Sequence, residues 1–427
     1  MNNKIKLAVA GAVLSAASVA NAGIIIPAGD WTIDINGNVN AFATFSDADE
    51  GKGTVKGRLA AGEDADGEGD GQGINTGLLP AWLGFTGTTR QNDVDVSFTI
   101  SFQPNVSDNG AMGDTGTPLN RQAFVTFGDK SWGTVKLGKD LGIFAGQAIL
   151  NDMTLLGVGA GGGTSGGATS LGGIGSGYIY PAWKGQIAYT TPNMNGFSAT
   201  IGITNPNQGS FGNALGAASS TTELNQDRFG VEGQVMYEWT GDVAGKVWAS
   251  GATYDVTIDA SGNTPNVATT SGDVDSFTAS VYDIGAAVTT GNLGLVGYYY
   301  NGKGVGTTMM GGANGVLGLG DDTGMKCTNN NCKRRDSDGG YVQATYVIPT
   351  GTKLGLAYGV SRLDEASGES DGTLLDKNER WTVGAYHPLT KHLNLVAEYN
   401  KIESEGQDSG ANNYEQDTLS LGAILFF

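Results

Sequence analysis

A glycine-rich stretch, GVGAGGGTSGGATSLGGIGSG at residues 157–177, contains the two patterns in this sequence that most resemble sites of chemistry. Residues 163–167 match G-x-S-x-G, which presents a nucleophilic serine, and residues 157–162 match G-x-G-x-x-G, which cradles phosphate groups. Both patterns need a strand-turn-helix context, and a segment this rich in glycine produces them by chance. We therefore predict no catalytic site, and interpret the glycines as positions where the backbone packs closely or stays mobile.

Residues that could bind metal are sparse. The acidic segment EDADGEGDGQG (63–73) resembles the start of a calcium loop, but position twelve counted from Asp64 is Asn75 instead of a bidentate glutamate. The segment is better interpreted as a solvated loop, with divalent cations bridging it to lipid phosphate as the alternative. His387 and His392 flank the turn PLTK without a third ligand, so we predict a turn there and no metal site.

Two cysteines, Cys327 and Cys332, form the segment CTNNNC and are the only ones in the chain. In an oxidising compartment, an even pair separated by four residues favours a small disulfide loop over a metal site, which would need more ligands. A basic cluster at 333–335 follows directly, and is interpreted as a solvated patch that could touch anionic lipid headgroups or a protein neighbour.

The elements that must position any site are strands. In DVDVSFTISF (93–102), Val94, Phe98 and Ile100 share one face of a strand, whereas Ser97 and Ser101 share the other. A soluble sandwich buries the apolar face, and a membrane barrel turns it outward, so the alternation alone does not distinguish them.

Sixteen such stretches occur, most of about 10 to 14 residues, which is long enough for a tilted strand to cross a bilayer. Seven short connections alternate with eight long ones, a pattern typical of outer-membrane barrels. Tryptophan and tyrosine lie near strand ends, as expected at membrane interfaces. The stretches lie near 31–45, 76–89, 92–104, 119–129, 132–139, 182–191, 196–205, 227–240, 244–258, 276–288, 292–301, 340–349, 352–362, 379–388, 391–401 and 415–427.

The first 22 residues indicate export. Two lysines, a fourteen-residue apolar stretch and the A-x-A site Ala20-Asn21-Ala22 predict a signal peptide cleaved before Gly23, leaving 23–427 as one domain. Cleavage removes two of the 24 basic residues and none of the 43 acidic ones, so the mature chain would carry a net charge of -21. A nucleic-acid partner is not expected, since phosphate contacts need a basic surface.

The chain ends in LSLGAILFF, which predicts a closing strand whose outer face carries Leu419, Leu421, Ala423, Leu425 and Phe427. No run outside the signal reaches the roughly 18 apolar residues of a membrane helix. A closed all-β barrel is therefore the predicted way to span, because every backbone polar group must be paired in hydrocarbon.

Three stretches, RQAFVTFGDKSWGTVKLGKD (121–140), IAYTTPNMNGF (187–197) and YHPLTKHLNLVAEY (386–399), resemble the general porins of Gram-negative bacteria and occur in that family's order. The resemblance implies a sixteen-stranded antiparallel transmembrane barrel in the outer membrane, usually a homotrimer, without a cofactor. It also implies a third external loop, here 140–181, that folds inward and narrows the lumen, and a terminal Phe427 read by the barrel-inserting machinery. Further implied partners are outer-membrane lipid, lipopolysaccharide, and the small hydrophilic solutes and ions that diffuse through.

Similar porins set acidic residues of the third loop against basic residues of the facing wall, which orients dipolar solutes and sorts ions. Here Lys139 occupies the place of a constriction arginine, Arg121 matches an arginine before the fourth strand, and Asp140 and Asp152 are the acids of the loop. The sequence departs from the family where Trp82 replaces a wall base and Thr191 replaces another. The constriction and lumen set implied for this chain is Lys139, Asp140, Asp152, Arg121, Trp82, Lys136, Lys184, Asp34, Asp95 and Glu232.

Because basic wall residues are missing, the sequence predicts a preference for cations. This preference would be set by acids on the polar faces of their strands, which also include Asp93 and Glu238. In the alternative interpretation, these acids only keep the lumen hydrated. Two other classes of function remain open at this stage. One is a secreted β-rich surface or binding protein that is soluble without detergent. The other is an outer-membrane lipid hydrolase, which needs a serine and histidine pair that has no obvious candidate in the sequence.

Overall fold

The computed structural model describes residues 23–49, 51–63, 67, 69–104, 119–161, 169–205, 222–224, 228–260, 276–308, 324–328 and 331–427. The helices in these ranges are α1, Gly146–Asn151, and a 3-10 turn, Met153–Leu156, and neither has the length and composition that a membrane-crossing helix requires. The strands are β1 Ile24–Ala28, β2 Trp31–Ala48, β3 Gly71–Asn75, β4 Trp82–Gln91, β5 Val94–Gln103, β6 Leu119–Asp129, β7 Gly133–Leu141, β8 Trp183–Thr190, β9 Phe197–Thr204, β10 Thr222–Leu224, β11 Gly230–Trp239, β12 Val243–Ala260, β13 Ser276–Thr290, β14 Leu293–Lys303, β15 Met325–Thr328, β16 Asn331–Arg334, β17 Asp336–Val347, β18 Lys353–Leu363, β19 Leu375–Pro388, β20 Leu393–Gly406 and β21 Asn413–Phe426.

Sixteen of these described strands form a closed antiparallel barrel. Each pairs with the next along the chain, from β2 and β4 through β9, β11 to β14, and β17 to β21. The sheet closes where β21 pairs with β2, with Asn38 opposite Phe426. The other strands are accessory: β1 and β3 extend the sheet along β2, β10 pairs with the end of β12, and β15 with β16 forms a separate hairpin. The predicted sixteen-stranded all-β fold is confirmed.

The strands turn their apolar faces outward. In β5, Ile100 is exposed, whereas Ser97 and Ser101 of the opposite face are buried inside the barrel. In β21, Leu419 and Leu421 are exposed and Ser420 is fully buried. This is the membrane version of the alternation, in which lipid covers the apolar face.

Exposed aromatic side chains form two bands on the outer surface. Trp132, Tyr189, Tyr237 and Tyr346 lie near the short turns. Trp381, Tyr282, Tyr299 and Tyr399 lie about half a strand further toward the long loops. Exposed aromatic residues of this kind are typical of the outer surface of a membrane barrel.

The short turns lie at one end of the barrel. Between β4 and β5, Asn92 and Asp93 have φ of 49° and 63°, the left-handed conformation at both central positions that matches the twist of a hairpin. The long connections, including the segment between β7 and β8, lie at the other end. The predicted alternation of short and long connections is therefore present.

Two details differ from the sequence-based expectations. The stretch 76–89 is not one strand: residues 76–81 break it, because Leu78 and Leu79 turn into the barrel and the Leu78 N–H donates to the Gly157 carbonyl, 2.9 Å away. The third long loop begins after Leu141, so Asp140 belongs to β7.

Candidate functional site

The segment 142–182, which we call loop three, folds into the barrel in its described parts, residues 142–161 and 169–182. Its side chains Phe144, Ala148 and Ile149 are buried against Trp248 and Tyr298 on the inner faces of β12 and β14. Trp248 of β12 and Tyr298 of β14 point into the barrel, so loop three fills the side of the lumen next to these two strands. The predicted inward fold of this loop agrees with the structure.

A second apolar cluster joins the tip of loop three to the closing strand. Val158 packs with Trp82, Tyr386, Ile424 and Phe426, all nearly fully buried. The outer face of the C-terminal strand is apolar because it meets lipid. Near the end of the strand, the inner face is also apolar, because it packs inside the barrel.

The inner faces of β6, β7 and β8 carry basic residues. Lys136 is bonded to the Asp140 carboxylate on β7, and Gln122 Nε2 donates to Asp140 Oδ1 over 2.8 Å. Arg121 is linked to this group through its Nη1, which donates to Gln122 Oε1 over 3.0 Å. The structure therefore brings together Arg121, Lys136 and Asp140 on the inner wall.

Lys184 and Glu232 form a buried ion pair instead of facing the passage. Lys184 Nζ lies 2.6 Å from Glu232 Oε1, and the side chains are 3% and 0% exposed. Glu232 was expected to charge the lumen wall, but it is enclosed between β8, β11 and the start of loop three. Its placement weakens the basis of the predicted cation preference.

Asp152 is the only acidic residue in the described part of loop three, and it is buried against the opposite wall. Arg380 Nη2 of β19 lies 3.9 Å from Asp152 Oδ2, which also accepts a 2.9 Å hydrogen bond from the Tyr178 hydroxyl. Burial, together with the Asp152 charge, raises the pKa of Tyr178 well above its usual value, so the hydroxyl remains a donor. Loop three therefore presents no free carboxylate within its described residues.

Lys139 does not face the passage, so its predicted position at the constriction is wrong. It shares the outer face of β7 with Leu137 and Val135, and lies opposite Ala123 of β6. Its Nζ reaches the Asn120 carbonyl, 2.8 Å away. The strand alternates, so Lys136 and Asp140 point inward and Lys139 points toward lipid.

Two further predicted acids lie toward the short-turn end. Asp34 is half-buried on β2. Asp95 of β5 is paired with Arg90, 2.8 Å away, and is largely exposed.

Trp82 was predicted to stand where similar porins have a basic wall residue. In the structure, its ring packs directly on Arg121.

Several polar residues inside the barrel were not singled out from the sequence. Arg380 and the buried carboxylates Asp283 and Glu398 meet loop three, and Lys246 Nζ donates to Gln147 Oε1 over 2.9 Å. The alternation along each strand indicates that these residues face inward, but the sequence does not indicate which inward residues loop three covers. Away from loop three, the inner wall of β4 to β7 keeps Thr86, Thr99, Thr126 and Lys136 half-buried.

The remaining motifs are described by the structure only in part. The G-x-S-x-G pattern, and parts of the G-x-G-x-x-G and acidic patterns, lie outside the described residues. His387 Nδ1 contacts Thr352 Oγ1, 3.0 Å away. Across the described ranges, no group of three or more potential metal-ligating side chains converges. Cys327 lies directly opposite Cys332 in the β15–β16 hairpin, a register compatible with a disulfide, which stays a prediction.

Comparison with known proteins agrees with this architecture. A family model described as Gram-negative porin matches residues 7–407. The outer membrane channel DcaP of Acinetobacter baumannii is 14% identical, with a TM-score of 0.66 over 94% of this chain and 99% of that one. An anion-selective porin from Comamonas acidovorans is 16% identical, with a TM-score of 0.59 over 93% and 100%. OmpT of Vibrio cholerae, in a trimer form folded in vitro, is 17% identical, with a TM-score of 0.54 over 93% and 99%. No curated protein matched the sequence.

Proposed function

Because this chain belongs to the Gram-negative porin family, it is an outer-membrane channel for passive diffusion, and we propose that its solutes are small, hydrophilic molecules and ions. The observation that carries the proposal is the closed barrel, polar on its inner wall, with loop three packed inside it. Solutes would pass between loop three and the wall that bears Lys136 and Thr126. No covalent chemistry is proposed.

We also propose that the mature protein is residues 23–427 as one barrel domain, and that three copies assemble. The support is the trimer form of OmpT from Vibrio cholerae, which has the same fold, and the exposed apolar outer face near the closing strand, including Val39 and Leu421. Outer-membrane lipid and lipopolysaccharide would cover the rest of that face. Phe427 would present the signal for the insertion machinery.

The cation preference expected from the sequence stays a prediction. Of the acids on which it rests, Glu232 is enclosed in an ion pair, and Asp93 and Asp95 are both paired with Arg90, so its remaining support lies in Asp34 and Glu238 toward the short turns.

Channel activity is tested in planar bilayers with detergent-extracted protein under a potassium chloride gradient. We expect stepwise openings, and the reversal potential reports the sign of ion selection. Liposome swelling with sugars of increasing size gives the size limit, and unheated gel electrophoresis after cross-linking gives the number of copies. A protein that is soluble without detergent and opens no channels would contradict the proposal.

A further inference from the structure

We propose that three carboxylates of the barrel wall, Glu232, Asp283 and Glu398, set the width of the passage by holding loop three through its backbone N–H groups. The inference rests on the channel function proposed above and assigns the residues that control its opening. It differs from the arrangement expected from the sequence, in which the acids of loop three itself act on the passage.

Two of the carboxylates hold the start of loop three. Glu232 Oε2 accepts hydrogen bonds from the Ile143 and Phe144 N–H groups, at 2.8 and 3.0 Å. Asp283 Oδ2 accepts from the Ala145 N–H at 3.3 Å, while Asp283 Oδ1 accepts from the Ser250 N–H at 2.8 Å. Three consecutive amides of the loop are thereby fixed to β11 and β13.

The third carboxylate holds the tip. Glu398 Oε2 on β20 accepts from the N–H groups of Val158 and Gly159, at 2.8 and 2.9 Å. Glu398 Oε1 accepts a 2.6 Å hydrogen bond from the Tyr386 hydroxyl, which orients the carboxylate toward the loop. Loop three is therefore held across the lumen, from β11 at its start to β20 at its tip.

The described part of loop three has no carboxylate of its own available for these amides. The only carboxylate of its described part, Asp152, is already bonded to Tyr178 and to the Gly173 N–H, 3.0 Å away. A buried amide without a partner is costly, and a carboxylate gives a stronger hydrogen bond than a neutral acceptor. Glu232, Asp283 and Glu398 are 0%, 2% and 1% exposed, so the bonds do not compete with water.

The test compares Glu398→Ala with the matched control Glu403→Ala. Glu403 lies on the same strand but on the outer face, where it pairs with Lys401. In Glu398→Ala, two loop amides lose their acceptor, and the tip is released from β20. We expect higher single-channel conductance and a loss of discrimination between mono- and trisaccharides in liposome swelling, with Glu403→Ala like the unmodified protein. An unchanged size limit in folded Glu398→Ala would overturn the proposal.

A second variant covers the case in which Glu398→Ala does not assemble. A side chain at Gly157 would begin 2.0 Å from Glu398 Oε1, so Gly157→Cys with Glu398→Cys places two thiols face to face. In a chain with Cys327 and Cys332 replaced by serine, oxidation should restore the narrow limit and reduction should widen it. Equal limits in both states would overturn the proposal.

The channel function and the role of the wall carboxylates are contradicted by different results. If the unmodified protein opens no channels, the proposed function is wrong. If it opens channels whose conductance and size limit are the same in all these variants, the channel stands and the role of the wall carboxylates is wrong.

Discussion

The guanidinium of Arg121 lies between the rings of Trp82 and Trp183, with its central carbon 4.7 and 4.2 Å from the two ring centroids. Arg121 is only 3% exposed. Stacking of a desolvated cation on aromatic faces is favourable, because the ring quadrupole attracts positive charge. Trp82 therefore stabilises a cation on the wall, Arg121, and does not simply replace a basic residue.

Trp82→Ala should weaken the barrel and loosen the inner wall. The substitution removes a ring that packs on Arg121 and on Phe426, whose ring centroid is 6.3 Å away, and a large-to-small change of this kind costs about 3–5 kcal/mol. We expect a lower temperature for loss of the heat-resistant gel band, and noisier, larger openings in bilayers. Trp82→Phe should recover most of both properties.

Trp132→Ala is the control for this prediction, since Trp132 is exposed at the β6–β7 turn and lies outside the lumen. If Trp82→Ala and Trp132→Ala have the same conductance and stability, the aromatic support of Arg121 is not important.

Lys184→Met should be strongly destabilising. The substitution leaves the Glu232 carboxylate buried without its cation, and breaking a buried pair in this way costs about 3–5 kcal/mol. The measurement is again the temperature at which the folded gel band is lost. Lys184→Met combined with Glu232→Gln should be more stable than Lys184→Met alone, because the uncompensated charge is removed.

Lys139→Met is the matched control, because Lys139 lies on the neighbouring strand but faces outward. It should change neither stability nor ion selectivity appreciably. A shift of the reversal potential in Lys139→Met would mean that this side chain does reach the passage, contrary to its placement.

The closing strand shows what the sequence can predict. Its period of two fixed the outward face through Leu419 and Leu421, because one face of every strand had to meet lipid. The count of strands and the alternation of turns followed from the same pattern. These features depend on local periodicity and turn chemistry alone.

Long-range features were not predictable in the same way. Lys139 was assigned by motif position, and an error of one residue moves a side chain to the other face of the sheet. Glu398 lies 240 residues from the Val158 amide it binds, so only the closed fold reveals their contact. Glu232 was predicted to face the lumen because it lies on the polar face of its strand, but the start of loop three covers it.

Acid should release the contact between two external loops. Burial favours the neutral form of Asp371, but hydrogen bonds from Lys56 and Thr373 outweigh it and lower the pKa of Asp371 from 3.8 to about 2. A lowered folded pKa means that the pair stabilises the loops above pH 3.8 and that this support is lost as the pH falls through about 2. We expect pepsin cleavage within 364–374 to be slow at pH 4 and to accelerate toward pH 2.

Asp371→Asn should be cleaved quickly already at pH 4. Asp364→Asn, at an exposed position of the same loop, should behave like the unmodified protein. A cleavage rate that follows only the activity of the protease, identical in all three proteins, would argue against the Lys56–Asp371 contact as the pH-sensitive element.

Deletion of Phe427 should impair assembly more than conductance. The residue closes the barrel at its backbone: the Gly37 N–H donates to the Phe427 carbonyl over 2.8 Å, and the Phe427 N–H donates to the Gly37 carbonyl over 3.0 Å. Phe427 itself is not part of the apolar cluster that joins loop three to β21, so channels that do form should have the unmodified conductance. The measurement is the yield of folded, membrane-inserted protein beside single-channel conductance.

Phe427→Ala separates the two roles of the terminal residue, because it keeps both backbone hydrogen bonds and removes only the ring. If the ring is the signal for insertion, Phe427→Ala should assemble poorly, whereas Phe427→Tyr, which keeps an aromatic ring, should assemble well. If the backbone closure alone matters, Phe427→Ala should match the unmodified protein. Because the deletion leaves Phe426 as the last residue, normal yield after the deletion would rule out the backbone role, and Phe427→Ala alone tests the ring.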